Sequence, residues 1–425
     1  MLKRGEAPLQ IKLFPFPLLR GRGRGDRVIL MKYCVLIIDG AAGLPLAERG
    51  GKTSLELAHT PNLDAMAKQG TLGLARTVPG GMEPSSACAC LSILGYDPKV
   101  YYRGRAGIEA RSMGVNIGDG EVVFRCNLVA VRDGKMWDYS SGHISTGEAK
   151  QLIQALNQSL DNDYVKFYPG VSYRHICKIA GQENTLLATC TPPHDIPGKP
   201  VTEFLPRGVG GDILRELMER SKAVLKHHPV NVARQARGDT PANMIWLFWG
   251  SGRAPDMPAF QQTYGVRAAL TSGVDLLRGL AGLAGMDVLE IAGVTDGGDN
   301  DYAAQAKGVL EALTEHDLVV IHVEAPDEAA HGGATSEKIE AIQRVDKDMV
   351  SRFRGFKSDF RMLIMPDHPT PIAVRTHTPD PVPFLLWGAG FRANGANRLT
   401  EAEAKRTGVF VEDGYNIMNI LLGGK

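Results

Sequence analysis

Arg361–Pro379, RMLIMPDHPTPIAVRTHTP, gathers side chains able to hold a metal. A carboxylate and an imidazole adjoin at Asp367-His368, and His377 follows nine residues later. Hard oxygen beside borderline nitrogen suits a divalent cation. Taken alone, the stretch is equally a loop with a capping Asp and two exposed histidines. The same residue types recur elsewhere. Asp39 stands before Gly40, and Asp327 and His331 are four apart, which on a helix puts them on one face. Gly80–Ala87, GGMEPSSA, feeds Ser85 and Ser86 into a small, apolar stretch, Cys88–Leu94. A serine there is either an ordinary helix cap or a nucleophile where free N–H groups favour a bound phosphate.

The elements that must position these groups are readable around them. Met362–Met365 is a short apolar run that reads as a buried strand, stopped by Pro366. Tyr33–Ile38 and Asp317–Val323 are longer runs of the kind buried on both faces of a parallel sheet. Asp39, Asp327, His331, Asp367 and His368 therefore lie just past predicted strands, with His377 in the last loop. Open α/β sheets place ligands at the carboxyl ends of strands and bring chain-distant ends together. Further strands are predicted at Asn243–Trp249, Val266–Leu270 and Asp287–Ile291, and helices at Thr60–Gly70 and Gly211–His227. This alternation predicts a doubly wound parallel α/β sheet.

From Tyr101 to about Arg207 the texture changes to short alternating strands, Val122–Val131 and Tyr173–Ile179, with one clear helix, Thr146–Leu160. The expectation is a smaller α+β domain at 104–209, inserted into a core made of 31–103 and 210–425. The inserted segment carries Arg105, Arg125, Arg174 and His143 as candidate anion-binders, each otherwise a solvated surface group. Arg253 is expected to add a contact from the core.

The chain has 425 residues and a formal charge of +1. That length calls for two or three domains. The balanced charge argues against a nucleic-acid partner or a membrane surface, so an anionic substrate must be held by local arginines. No apolar run is long enough to span a bilayer. Six scattered cysteines without a CxxC pair read as reduced thiols of a cytoplasmic enzyme. Residues 1–30 read as a disordered basic arm or an upstream extension, with Met31 a natural start.

Six stretches carry a family resemblance. They are Ile38-Asp39-Gly40; the serine segment running into LSILGYDP (Leu91–Pro98); GRAGIEA (Gly104–Ala110); FRCNLV (Phe124–Val129) with GHIS (Gly142–Ser145); VEAPDEAAHGG (Val323–Gly333); and PDH followed by THTPDPVPF. From Met31 onward the chain resembles the alkaline phosphatase superfamily, and within it the archaeal-type 2,3-bisphosphoglycerate-independent phosphoglycerate mutases. The resemblance implies an alkaline-phosphatase-like fold and two divalent ions, manganese first, with zinc, cobalt or magnesium as alternatives. It implies one ion on Asp39, Ser86, Asp367 and His368, and the other on Asp327, His331 and His377. Counting back from Leu91 places the family's nucleophile at Ser86, with Ser85 one register away. The implied reaction interconverts 3- and 2-phosphoglycerate through phosphoserine, without 2,3-bisphosphoglycerate, in glycolysis and gluconeogenesis. His143, Arg105, Arg125, Arg174 and Arg253 would bind the substrate. The serine's neighbours, Ser85 and Ala87, depart from the family pattern of Gly before and Asp or Gly after. They keep open a second reading, a related phosphotransferase or phosphohydrolase acting on another small phosphorylated metabolite.

Overall fold

An apolar, β-branched run becomes a strand when both its faces are covered. Cys34–Ile38 meets that condition, each residue being fully buried. The computed structural model describes residues 31–423 apart from 103, 161–163, 254–255 and 356–358. The expected N-terminal arm therefore lies outside the described residues. In chain order the strands are β1 (Lys32–Ile38), β2 (Thr71–Ala75), β3 (Glu121–Arg132), β4 (Lys135–Asp138), β5 (Val165–Tyr168), β6 (Arg174–Ala180) and β7 (Met244–Ser251). They continue with β8 (Ala268–Thr271), β9 (Asp287–Val288), β10 (Leu318–Val323), β11 (Phe360–Met365), β12 (Val382–Gly388) and β13 (Phe410–Val411).

The chain divides into two units, Arg103–Asp256 forming one and the residues on either side of it the other. The flanking unit holds a sheet in the order β13-β2-β12-β11-β1-β10-β8-β9. β1 lies parallel between β10 and β11, with Tyr33 opposite Leu318 and Arg361. β8 and β9 extend the parallel part. The expected α/β sheet is thus present, but it is mixed. β12 runs antiparallel to both β11 and β2. Sixteen residues, 366–381, join β11 to β12 with no helix among them. A parallel return needs a crossover, usually a helix, so the chain comes back antiparallel.

The unit Arg103–Asp256 has its own sheet, β4-β3-β6-β5, with β7 on the free side of β3. This corrects the expected boundary at 209. Asn243–Trp249, read as a strand of the main sheet, instead forms β7, which pairs antiparallel with β3 from Val129↔Met244 to Val123↔Ser251. An apolar run of that length fits either sheet, and its register partner lies more than a hundred residues away. The helices Gly211–Lys226 and Pro229–Arg237 go with it. Leu214, Leu217, Met218 and Leu225 bury against Leu152, Ile153, Leu156 and Trp246 in this unit's core.

Candidate active site

Sheet order explains why residues nearly 330 positions apart meet. β11, β1 and β10 are neighbours and run the same way, so the segments after them open on one edge. They deliver Asp367-His368, Asp39-Gly40 and Glu324–His331. Asp39, Asp327, Asp367 and His368 are all buried there. Gly40 has a positive φ of 60°, and a Cβ on it would lie 2.3 Å from Asp327 Oδ1, so no larger residue fits between these carboxylates. Its N–H donates to Asp367 Oδ1 at 3.1 Å.

The helix Ala325–His331 sets Asp327 and His331 one turn apart, with Nε2 to Oδ2 at 3.1 Å. His377 comes from the loop between β11 and β12; its Nε2 lies 3.0 Å from His331 Nε2 and 3.7 Å from Asp327 Oδ1. His368 Nε2 lies 3.1 Å from Asp367 Oδ2 and 3.7 Å from Asp39 Oδ1. Ser86 begins the helix Ser86–Ile93, and its Oγ is 3.2 Å from His368 Nε2. Ser85 sits one residue earlier as N-cap, its Oγ accepting from Cys88 N–H at 3.3 Å.

The electrostatics follow from packing carboxylates together out of water. Burial raises Asp39 well above the ordinary carboxylate range, and Asp367 and Asp327 push it the same way. Burial also opposes ionisation of Asp327, but its bonds to His331 and His377 hold it well below that range. His331, despite burial, is raised to about 9 by Asp327. His368 is lowered to about 4, chiefly by burial, and so stays neutral. Asp39 Oδ1 is buried with no hydrogen-bond donor in reach. One ligand atom from each of Asp39, Asp367 and His368 falls within 4.8 Å of the others, and likewise for Asp327, His368 and His377. An orphaned carboxylate oxygen among converging oxygens and imidazole nitrogens is a donor set that divalent ions fit.

In the unit Arg103–Asp256, Arg105 and Arg125 share one buried carboxylate. Glu109 takes Arg105 Nε at 2.8 Å on Oε1 and pairs with Arg125 Nη1 on Oε2. Arg105 also lies over the Trp249 ring, 4.4 Å from its centroid. His143, exposed and with a φ of 49°, packs edge-on to Tyr173, whose ring also lies under Arg174 at 5.8 Å. Arg253 is not on the flanking unit as expected. It follows β7, is exposed, and pairs with Asp119 at 3.2 Å and Asp256 at 3.4 Å.

Residues 67–231 match the family model described as 2,3-bisphosphoglycerate-independent phosphoglycerate mutase. An enzyme of that name from Methanothrix thermoacetophila is 46% identical over 93% of this chain and all of its own length. A Methanosarcina acetivorans relative with the same name is 48% identical, over 84% of this chain and 90% of its own. The chain belongs to this mutase family. A solved structure from Pyrococcus horikoshii, 28% identical, superposes with a TM-score of 0.77 over 93% of this chain and 98% of its own. The cofactor-independent phosphoglycerate mutase of Thermoplasma acidophilum shares the fold, with a TM-score of 0.60 at 24% identity over 92% of this chain and 99% of its own.

In this member of the mutase family, side chains missed in the sequence surround the cluster. His322, within β10, donates from Nε2 to Asp39 Oδ2 at 2.8 Å, and its Nδ1 meets the Ser272 hydroxyl at 3.0 Å. Glu324 lies 3.5 Å from the same Nε2, and burial raises it well above its ordinary range. Thr370 donates to Asp327 Oδ1, and its Oγ1 lies 3.2 Å from His368 Nδ1. The signal for His322 was a lone polar residue within the apolar run DLVVIHV. Thr370 carries no signal, being one more loop threonine between prolines.

Proposed function

We propose that this chain interconverts 3-phosphoglycerate and 2-phosphoglycerate, with Ser86 carrying the phosphoryl group between the two. The observation that carries the reading is Ser86 Oγ, 3.2 Å from His368 Nε2 at the rim of a buried carboxylate–imidazole cluster. Asp39, Ser86, Asp367 and His368 would hold one divalent ion, and Asp327, His331 and His377 a second, manganese being the first choice. When bound, such ions lower the pKa of a serine hydroxyl and neutralise phosphoryl oxygens.

The Ser86 hydroxyl gives up its proton as its oxygen attacks phosphorus in line with the departing C3 oxygen; the Oγ–P bond forms, the bond from phosphorus to the C3 oxygen breaks, and one proton is returned to the C3 alkoxide left on glycerate. Glycerate then turns within the site. Its C2 hydroxyl loses its proton as its oxygen attacks the phosphoserine phosphorus; the C2 O–P bond forms, the Oγ–P bond breaks, and the freed Ser86 oxygen takes up one proton, which restores the hydroxyl. Water must be kept from the phosphoserine throughout, or inorganic phosphate is released. We assign recognition of carboxylate and phosphate to Arg105, Arg125, Arg174, His143 and Arg253; the Glu109 bridge supports the first two by fixing their guanidinium groups. A cytoplasmic, glycolytic setting belongs to the same proposal. Among the described residues no helix is long and apolar enough to cross a membrane.

The test couples 2-phosphoglycerate formation to enolase, with added manganese and no 2,3-bisphosphoglycerate. Turnover, with phosphate trapped on Ser86 after an acid quench, is expected. Phosphate release without any 2-phosphoglycerate would replace the mutase reading with a phosphohydrolase.

A further inference from the structure

A buried lysine among carbonyls needs a reason. Lys338, on the helix Thr335–Arg344, is fully buried. Its ammonium donates to Thr370 O at 2.8 Å and Ala42 O at 3.0 Å. Those carbonyls belong to two different segments, the one after β1 that carries Asp39 and the one after β11 that carries Asp367 and His368. The segments already touch, through Thr370 N–H to Ala42 O at 3.1 Å and bridges from Pro369 to Ala41 and Ala42. Glu401, which also acts on Lys338 electrostatically, turns its oxygens to Gly43 N–H at 3.0 Å and the Thr53 hydroxyl at 2.7 Å. The ammonium is thus fixed by carbonyl dipoles, while Asp327 and Asp39 act on it as charges.

We propose that Lys338 is a positioning residue: its buried ammonium ties the Asp39 and Asp367-His368 segments together and holds their ligands at binding distance for the divalent ions. The inference rests on the two-ion reading above. A cation is an unusual neighbour for a cation site, and its electrostatic effect alone would weaken metal binding. Its favourable role is geometric. It pins the two backbone carbonyls, and Thr370 carries that restraint to Asp327 through its hydroxyl. Groups that orient ligands in this way typically change metal affinity or activity by ten- to a hundred-fold when removed.

The experiment titrates Mn2+ into the chelator-stripped full chain by calorimetry, comparing wild type, Lys338→Met and Lys338→Gln. Met keeps the volume and removes both donors; Gln is neutral and keeps donors. Lys338→Met is expected to bind Mn2+ roughly ten- to a hundred-fold more weakly. Lys338→Gln should recover part of that loss, and excess Mn2+ should restore kcat. Amide exchange at residues 40–43 and at Asp367, His368 and Thr370 should quicken in both variants. A Lys338→Met chain with wild-type Mn2+ affinity and only a lower Tm would overturn the proposal; a merely structural lysine behaves that way. Should Lys338→Met fail to fold, the Lys338→Gln affinity decides by the same criterion. If wild type itself binds no Mn2+, the two-ion reading falls first and takes this inference with it.

Discussion

Ser85 and Ser86 are adjacent, but their hydroxyls have different partners. Ser86 Oγ faces His368, whereas Ser85 Oγ is engaged with Cys88 N–H. Ser86→Ala should therefore lose mutase turnover by on the order of 10³-fold or more and form no phosphoenzyme. Retained turnover in that variant would move the nucleophile elsewhere. His322 makes a second prediction at this scale. With Nε2 protonated it donates to Asp39, while Ser272 donates to Nδ1 and accepts from Val274 N–H at 3.0 Å. That chain fixes which way the Asp39 carboxylate points. His322→Ala should weaken Mn2+ affinity roughly ten- to a hundred-fold, with His322→Gln intermediate; unchanged affinity in the alanine variant would reduce His322 to core packing. The candidate ligands were legible because Asp39, Asp327, Asp367 and His368 follow closely on apolar strand runs. Thr370 and Lys338 were not, since their importance comes from what the fold brings to them.

At the scale of elements, the strand ends decided what could be read. β1, β10 and β11 are near-continuous apolar runs, and each ends in the residues that form the cluster. The helix Thr146–Leu160 was equally plain, its apolar residues at 149, 152, 153, 156 and 160 marking one buried face. β7 was placed in the wrong sheet because Met244–Phe248 is apolar on both faces, as a central parallel strand would be. Pairing with β3 decides its address, and pairing is not a local property. The start of the helix Ser86–Ile93 offers the test for this scale. Ser85 satisfies one of its otherwise unpaired N–H groups, so Ser85→Ala should cost about 1 kcal/mol of stability. It should leave turnover within a few-fold of wild type, because the proposed nucleophile is Ser86 and not the cap. A Ser85→Ala chain that is fully stable but inactive would exchange the roles of the two serines.

For the molecule as a whole, acid stability is set partly by groups far in sequence from the metal-type cluster. His175 in β6 is buried, with its Nδ1 accepting from Gly170 N–H at 3.0 Å. A proton on Nδ1 would face another donor. Burial lowers its pKa from 6.5 to about 3, and the Arg125 guanidinium pushes the same way. Between those values the unfolded chain binds a proton that the folded chain refuses, so stability must fall as pH drops through that window. One such group contributes a slope of at most about 1.4 kcal/mol per pH unit. Glu109 acts lower down. Burial disfavours its charge, but Arg125 and Arg105 more than offset this and hold it at about 2 against 4.5, so its contribution is present above 4.5 and lost toward 2. Denaturant midpoints measured from pH 7 to 4.5 at fixed Mn2+ separate the two. His175→Gln keeps an acceptor for Gly170 and does not titrate, so its stability should fall less steeply than wild type between pH 6 and 4.5. Glu109 is common to both chains and begins to contribute only toward pH 4.5, and it and the histidines of the cluster cancel in the comparison. Parallel curves for the two chains would mean that His175 takes up its proton without unfolding.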